Sequence, residues 1–390
     1  MIRMPRTGHG LLVLLAALAV SGVRTAARVR AQEAGNIRSA EAVVTDIVDQ
    51  GEREAVGEAI VFQTLRLRYV DGPRSGQTVN VTTQDTASAG TRLYAVGDHV
   101  MLAEQSGVPA DATYFIEDRV RRTPLAGLLA VFVAVVLVVA RRRGLASLLS
   151  LVLSFAAIFL FMLPLIASGN DPIVVAIVTS LFIIPSTYYL SHGLNRKTHA
   201  AVVGTLVALL ITGLLAVVAV DAAAISGYAS EEASYVQNLR PGIVNIRGLL
   251  LASILIGLSG ILDDITISQA AIVAQLRSAA ADMSVREVYG RAMDVGRDHI
   301  ASLVNTLILV YASSALPLLL LFRYGDVPWR DVVNFEVVAE EIVRTLVASI
   351  GLVLAVPVTT LIACLMLRSG DAVDQDQQHV HVPGPHSHVD

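Results

Sequence analysis

Long apolar runs dominate the sequence after residue 123, and polar positions inside these runs are few. A run of about 20 apolar residues can cross the roughly 30 Å hydrocarbon core of a bilayer as a helix. The pattern predicts seven membrane-spanning helices, at about residues 124–140, 145–168, 172–192, 200–220, 247–270, 300–322 and 345–367. We therefore expect an α-helical polytopic membrane protein whose transmembrane domain covers residues 124–368.

Residues 37–118 follow a different pattern, in which apolar and polar positions alternate with a period of two. Short runs such as AIVFQTLRLRYV are separated by turn signals at Asp71-Gly72-Pro73 and Gly97-Asp98. Alternation interrupted by turns is typical of antiparallel hairpins. This segment therefore predicts a small all-β domain, a barrel or sandwich of five or six strands. Its sequence contains no motif for catalysis.

The N-terminal residues 1–31 have the pattern of a signal peptide or a signal anchor helix. Arg3 and Arg6 precede the apolar run LLVLLAALAV, which is the order that export signals show. Either kind of signal would export the β domain. The seven spans would then leave the C-terminus in the cytoplasm. Ten basic residues fall in the predicted inner segments and eight in the outer ones, a small excess in the direction of the positive-inside rule.

The C-terminal residues 369–390 are polar and rich in histidine. Pro383, Gly384 and Pro385 prevent regular structure there, so we expect a disordered cytoplasmic tail. Short histidine-rich tracts bind Zn²⁺ or Ni²⁺ weakly. The weak metal-ligand candidates are His379, His381, His386 and His388.

Two adjacent carboxylates, Asp263 and Asp264, interrupt the predicted span 247–270. Ionisable residues inside a membrane segment are costly, and they mark ion or proton pathways more often than other positions do. Asp264 falls on a helical stripe with Ser253, Gly257 and Gly260, and small residues favour close helix packing. We therefore expect this stripe to face a neighbouring helix or a cavity.

Partners for these carboxylates can be sought on the same helix and on the next one. Thr266 is placed one turn after Asp263 as a hydroxyl partner, and Asn305 is placed on the following span at a similar depth. An asparagine in a membrane helix needs a hydrogen-bonding partner. A proton or Na⁺ site is the functional interpretation. The alternative is that the span ends near Leu262 and a separate surface helix begins at the aspartates.

A second charged pair precedes the last predicted span. Glu340 and Arg344 are four residues apart in the order that favours an ion pair on a helix. The pair can be a structural contact at the outer interface or part of an outer gate.

Composition excludes several classes of function. The chain is 54% hydrophobic and only 16% charged, whereas soluble domains have about 25% charged residues. The net charge of −4 argues against a nucleic-acid partner. No zinc-protease motif is present, and an intramembrane aspartyl protease needs its aspartates on two facing helices. We therefore expect neither an enzyme nor a cofactor.

Three segments of the chain resemble the bacterial YibE/F family of membrane proteins. They are GLSGILDDITISQAAIVAQL, GRDHIASLVNTLILVYASSALPLLLLF and NFEVVAEEIVRTLVASIGLVLAVPVTTLIA. The resemblance covers most of residues 40–368, and it implies a permease of the inner membrane. A more distant similarity to the resistance-nodulation-division and SecD/SecF proteins lies in the order of export signal, exported domain and helical bundle.

The sequence therefore predicts a secondary transporter or permease of the bacterial inner membrane, coupled to a proton or cation through Asp263 and Asp264. Its partners would be the lipid bilayer, a small-molecule or ionic substrate, and an extracytoplasmic protein. The alternative is a membrane scaffold or receptor module that transports nothing and whose exported β domain binds a partner.

Overall fold

The structure is a computed structural model that describes residues 37–55, 58–86, 93–105, 114–239, 241–280 and 282–367. The predicted signal at 1–31 and the histidine-rich tail, with its four candidate metal ligands, lie outside the described residues. The described chain divides between Arg141 and Arg142 into two compact units.

The first unit contains a five-stranded antiparallel sheet that curls into a half-barrel. In sheet order, β3 (Thr78–Thr86), β2 (Glu58–Tyr69), β1 (Ile37–Ala55), β4 (His99–Gln105) and β5 (Tyr114–Arg119) are neighbours. The long strand β1 pairs with β4 through its first residues and with β2 through its second half. Two register shifts in β1 bend it, as bulges do in curved sheets. The prediction of a small antiparallel β domain is confirmed.

Alternate residues of these strands form the core of the half-barrel. The buried side chains are Ala42, Val44, Leu65, Leu67, Tyr69, Val81, Val100 and Leu102. The buried amide of Gln63 also accepts a hydrogen bond from the Tyr94 amide at 2.8 Å and donates to the Tyr94 carbonyl at 3.2 Å. This exchange satisfies a polar group that would be costly to bury alone.

The second unit is helical. The helices in chain order are α1 (Arg122–Ala157, which begins in the first unit), a π-helical turn (Ile158–Met162), α2 (Leu163–Ala167), α3 (Pro172–His192), α4 (Arg196–Ala222), α5 (Glu231–Leu239), α6 (Ile246–Ala279), α7 (Val285–Ser314), α8 (Leu316–Tyr324), α9 (Trp329–Val332) and α10 (Glu336–Met366). The helices α4, α6 and α10 pack on one another, α3 packs on α4 and α6, and α7 packs on α6 and α10. We call the end with Pro172, Ile246 and Glu336 the glutamate end, and the opposite end with His192 and Met366 the histidine end.

Five helical stretches of the described chain are long and apolar enough to cross a membrane. They are Arg122–Ala167, Pro172–His192, Arg196–Ala222, Ile246–Ala279 and Glu336–Met366. Val285–Ser314 and Leu316–Tyr324 count as a sixth span if they are taken together, although they are bent by 58°. By their length and composition these helices fit a membrane protein.

The prediction of seven separate spans differs from this count at one place and otherwise agrees with it. The difference arises at residues 124–168, where two predicted spans form one helical stretch of 46 residues. A straight helix of that length would measure about 69 Å, more than twice the thickness of the hydrocarbon core. The stretch is broken at Arg141, whose φ of 51° and ψ of −125° are not helical. The two helices on either side of this break correspond to the two predicted spans, and the number of spans that cross the membrane stays a prediction.

Two glycines allow α4 and α10 to approach closely. A Cβ atom on Gly204 would lie 2.5 Å from Thr359 Oγ1, and one on Gly351 would lie 2.5 Å from Thr212 Oγ1. Each helix thus contributes one glycine and one threonine. In the first contact the glycine lies on α4, and in the second it lies on α10. Small residues at such crossings are the usual basis of helix packing in membranes.

Candidate functional site

The orientation of α6 decides which of its polar residues lie inside the bundle. The helix buries an apolar face that includes Leu251, Leu255, Leu258, Leu262 and Ile265. It is continuous through both aspartates. No separate surface helix begins at Asp263 or Asp264, so that part of the alternative prediction was wrong; the end of the membrane span near Leu262 stays a prediction.

The small-residue stripe of α6 lies on the opposite, exposed face. Ser253, Gly257, Gly260 and Asp264 are all exposed, and a Cβ atom on either glycine would meet nothing within 4 Å. The prediction that this stripe packs against a neighbouring helix or lines a cavity was therefore wrong for Gly257, Gly260 and Asp264, whereas Ser253 lines a small cavity with Glu340 and Arg344. Large aliphatic side chains of α6 fill the interior instead, while the close helix contacts use the glycines of α4 and α10.

Three hydroxyl groups from three different helices meet inside the bundle. Tyr188 of α3, Thr205 of α4 and Thr266 of α6 are all buried. The Tyr188 hydroxyl lies 2.6 Å from Thr205 Oγ1 and 2.5 Å from Thr266 Oγ1, and the two threonine oxygens are 2.6 Å apart. Each threonine hydroxyl also lies within hydrogen-bonding distance of the carbonyl four residues earlier, a common bond for hydroxyls within helices, so its one hydrogen serves either that carbonyl or the cluster. We call these three side chains the hydroxyl cluster.

Asp263 lies beside the hydroxyl cluster. Its backbone carbonyl is 3.3 Å from the Tyr188 hydroxyl, and its carboxyl group interacts with the same hydroxyl. One carboxyl oxygen, Oδ1, is buried and has no hydrogen-bond partner. Burying a charged oxygen without a partner is costly. Binding of a proton or a cation at this oxygen would offset that cost.

Asp263 is placed well inside the bundle along the helix axis. It lies about 26 Å along α6 from Ile246, at 1.5 Å per residue. Tyr188, which it contacts, is one turn from the end of α3 at His192. The site therefore lies nearer the histidine end than the glutamate end.

Asp264 has a different environment from its neighbour. Its side chain is exposed, and it interacts electrostatically with His192 at the end of α3. The two aspartates are therefore not equivalent. Asp263 points toward the interior of the bundle, and Asp264 lies on its surface.

Asn305 is not brought to the aspartates. It is exposed on the second half of α7, where few side chains are buried. The residue that links α7 to α6 is Gln269, whose buried amide donates to the Ala292 carbonyl at 2.8 Å. A Cβ atom on Gly296 of α7 would lie 3.1 Å from this amide, so α7 contacts α6 one turn beyond the hydroxyl cluster, through its first half.

Glu340 and Arg344 form an ion pair at the glutamate end. Their side chains approach to 2.7 Å, and Arg344 also bonds Glu341. Both members of the first pair are largely buried, with side-chain exposures of 13% and 26%. Nearby, Glu336 Oε1 accepts hydrogen bonds from the Ser226 amide and hydroxyl at 2.6 and 2.7 Å. The Glu336 carboxylate thus joins the start of α10 to the loop after α4, whereas Glu340 and Glu341 bond Arg344 within α10.

No group of three or more His, Cys, Asp or Glu residues capable of holding a metal ion occurs within the part of the chain that the structure describes. Cys364 is a free, buried thiol. Next to it, the buried Arg277 donates to the Cys364 carbonyl at 3.4 Å and to the Met283 carbonyl at 2.7 Å. Its position near the carboxyl end of α10 is that of a helix cap.

The family model for YibE/F-like proteins matches residues 128–369, which is more than half of the chain. The chain belongs to the YibE/F-like family. The match includes α6 and α10 and all of the hydroxyl cluster, whereas the β half-barrel lies outside it. No curated protein and no solved structure matches this YibE/F-like chain.

Sequence reasoning missed two of the residues around Asp263 in this YibE/F-like protein. Tyr188 and Thr205 lie on helices that are 75 and 58 positions away along the chain from Asp263, and neither interrupts an apolar run as a charge does. A signal was present, since a tyrosine or threonine hydroxyl inside an apolar span needs a hydrogen-bonding partner. That signal indicates a contact without indicating which helix supplies it.

Proposed function

We propose that this YibE/F-like protein is a secondary transporter of the bacterial cytoplasmic membrane, and that Asp263 binds the ion that drives transport. The observation that carries the proposal is the buried, unpartnered Oδ1 of Asp263 beside three buried hydroxyl groups. A carboxyl group in such an environment inside a helical bundle is expensive to maintain. Ion binding gives a reason for its presence.

The spacing of the hydroxyl cluster favours a proton over a metal cation. Oxygen atoms around a cation such as Ca²⁺ lie about 2.3–2.6 Å from the ion, so they stand roughly 3 Å or more apart. The oxygens of Tyr188, Thr205 and Thr266 are only 2.5–2.6 Å apart, which is hydrogen-bond contact. No room remains between them for an ion, whereas a proton on Asp263 needs none.

In the proposed orientation the histidine end faces the cytoplasm and the β half-barrel is exported. Arg196 and Lys197 lie at the histidine end, at the start of α4, as the positive-inside rule favours. Asp263 would then exchange protons with the cytoplasmic side more readily than with the outer side. Glu340 and Arg344 would form the outer gate, on the glutamate end.

A flux screen in proteoliposomes tests the proposal. Candidate solutes are loaded and their movement is followed with and without an imposed proton gradient, using wild type, Asp263→Asn and Asp264→Asn. We expect gradient-dependent flux that Asp263→Asn abolishes and that Asp264→Asn retains. Asp264→Asn is the matched control because the same chemical change is made on the exposed side of the same helix.

The scaffold alternative makes the opposite prediction. Gradient-dependent flux would be absent with every solute, and removal of the exported domain would abolish binding of an extracytoplasmic protein. Flux that survives Asp263→Asn unchanged would instead leave a transporter but remove Asp263 from its mechanism.

A further inference from the structure

A small cavity lies at the glutamate end, between α10, the first turns of α6 and the segment that carries α5. Its volume is about 200 Å³, less than the roughly 300–1,000 Å³ of sites for drug-sized molecules. The apolar part of its wall comes from α5 and α6 and consists of Ala233, Val236, Ile246, Leu249 and Leu250. A ligand that fills this volume is therefore small and has a short apolar body.

The polar part of the wall offers mainly hydrogen-bond acceptors. It consists of Ser230, Glu232, Ser253, Glu340 and Arg344. A carboxylate can only accept hydrogen bonds. The Ser253 hydroxyl donates its hydrogen to the Leu250 carbonyl at 2.7 Å, so it too can only accept from a ligand. The terminal nitrogens of Arg344 are already bonded to Glu340 and Glu341. This wall therefore suits a ligand that donates hydrogen bonds.

Glu340 has one carboxylate oxygen left for such a ligand. Its Oε1 accepts a hydrogen bond from Arg344 at 2.7 Å, whereas its Oε2 accepts none from any residue that the structure describes. The side chain is only 13% exposed, yet Oε2 is not fully enclosed by protein. Because Glu340 lines the cavity, a molecule inside can reach this oxygen. A hydrogen bond from a charged donor would offset the cost of removing the carboxylate from water.

The charges of the residues around this ion pair do not balance. Arg344 bonds both Glu340 and Glu341. Glu336 also acts electrostatically on Glu340, and Glu232 adds a carboxylate from α5. In this group four carboxylates are present with one guanidinium. The surplus of negative charge favours a cation in the cavity and disfavours an anion.

We infer that this cavity binds a small organic cation, a primary amine with a short apolar body, and that Glu340 accepts a hydrogen bond from its ammonium group. The side chains of α5 and α6 surround the apolar body, and Ser253 offers a second acceptor. A neutral hydrocarbon would leave the Glu340 carboxylate unpaired. The headgroup of phosphatidylethanolamine carries the same ammonium group, but its phosphate would meet the surplus of negative charge. A free cation therefore fits the cavity better than a lipid headgroup does.

The cavity also gives the proposed outer gate a ligand. An ammonium group that bonds Glu340 competes with Arg344 for the same carboxylate, so binding would loosen the ion pair. Ser253 lies ten residues before Asp263 on α6, about 15 Å away, so the cavity and the proton site are separate. The transported substrate would then be an organic cation. This assignment of the substrate rests on the proposed function, whereas binding in the cavity does not.

Isothermal titration calorimetry of the full-length protein in phosphatidylcholine nanodiscs tests the binding. The probe is benzylamine, which is a cation at pH 7. The comparison compound is benzyl alcohol, which has the same apolar body and a neutral hydroxyl group. We expect saturable binding of benzylamine, above that of empty nanodiscs, and binding of benzyl alcohol that is at least about tenfold weaker. Equal affinity for the two compounds would overturn the inference.

A pair of substitutions on α10 tests the role of Glu340. Glu340→Gln removes the charge but keeps an oxygen that can accept from Arg344, and it should weaken benzylamine binding at least about tenfold. Glu341→Gln is the matched control, because Glu341 also bonds Arg344 but does not line the cavity. It should change the affinity by much less. Equal effects of the two substitutions would contradict a direct contact with Glu340.

A second pair of variants locates the site without altering the ion pair. Ser253→Lys brings an ammonium group into the cavity, where it should compete with benzylamine and abolish saturable binding. Ser234→Lys makes the same change at an exposed position of α5 that does not line the cavity, and it should bind as wild type does. Equal loss in both variants would mean that benzylamine responds only to the negative charge of this surface, and would overturn the site.

The lipid composition separates a free cation from a lipid headgroup. In nanodiscs with half of the lipid replaced by phosphatidylethanolamine, benzylamine should bind with unchanged affinity. Weaker binding there would identify the lipid headgroup as the occupant and would overturn the assignment to a free cation. The titration applies no proton gradient, so its result does not depend on transport. Benzylamine binding without any proton-driven flux would leave this inference standing while the transport proposal failed.

Discussion

Thr359 on α10 lies directly against Gly204 on α4, so that a Cβ atom on the glycine would be 2.5 Å from the threonine Oγ1. The same contact recurs between Gly351 and Thr212, two turns away along both helices. All four residues are at mid-span. The close approach of α4 to α10 therefore depends on two positions that have no side chain, Gly204 and Gly351.

Replacing Gly204 should weaken the bundle. Gly204→Val inserts a branched side chain where the backbone of α4 meets Thr359, and overpacking of this kind costs about 1–3 kcal/mol. We expect a lower midpoint of thermal unfolding in detergent. Gly257→Val is the control, since a side chain there meets nothing within 4 Å. An equal loss in both variants would show that glycine matters here only through helix propensity.

The ion pair at the glutamate end predicts that the effects of its substitutions on stability are not additive. Arg344→Leu leaves Glu340, which is largely buried, beside Glu341 without a positive charge. Removing one partner of a fully buried pair costs about 3–5 kcal/mol and of an exposed pair about 0–1 kcal/mol, so we expect a cost between these for this half-buried pair, whereas replacing the whole pair by apolar residues is close to neutral. We expect Arg344→Leu to be less stable than the triple variant in which Glu340→Leu and Glu341→Leu are added. Equal stability of the two variants would contradict a structural role for the ion pair.

The proposed orientation predicts the labelling of the two bundle ends. With the buried Cys364 replaced by serine, a single cysteine is introduced by Asn170→Cys, between α2 and α3, or by Asp282→Cys, between α6 and α7. A membrane-impermeant thiol reagent added to intact cells should label the first variant alone. After the membrane is opened it should label both. Labelling of Asp282→Cys in intact cells would reverse the orientation.

The sequence was sufficient to predict the β domain and the long apolar helices, because hydrophobic periodicity reports local burial. It could not predict the contacts of α6. The stripe through Gly257 and Asp264 has the composition of a packing face, yet composition cannot show whether a neighbour is present. The three arginines at 141–143 predicted a boundary between two spans, and the helical stretch is broken at the first of them, Arg141.

The part of the candidate site that lies on one helix was predicted, and the part that comes from other helices was missed. Asp263 and Thr266 are close in the chain, so helix geometry relates them directly. Tyr188 and Thr205 come from other helices, and only the packing of α3 and α4 on α6 brings them together. Asn305 was placed beside the aspartates by counting residues along two helices, but the described part of α7 meets α6 through Gln269 instead.

Infrared difference spectroscopy of the purified protein, titrated across pH, tests the central claim most directly. A protonated carboxyl group in an apolar site gives a carbonyl band that is separate from the bands of hydrated carboxylates. The account predicts one such band in wild type that titrates, is lost in Asp263→Asn and persists in Asp264→Asn. A titrating band that persists in Asp263→Asn, or one that is lost only in Asp264→Asn, would contradict it.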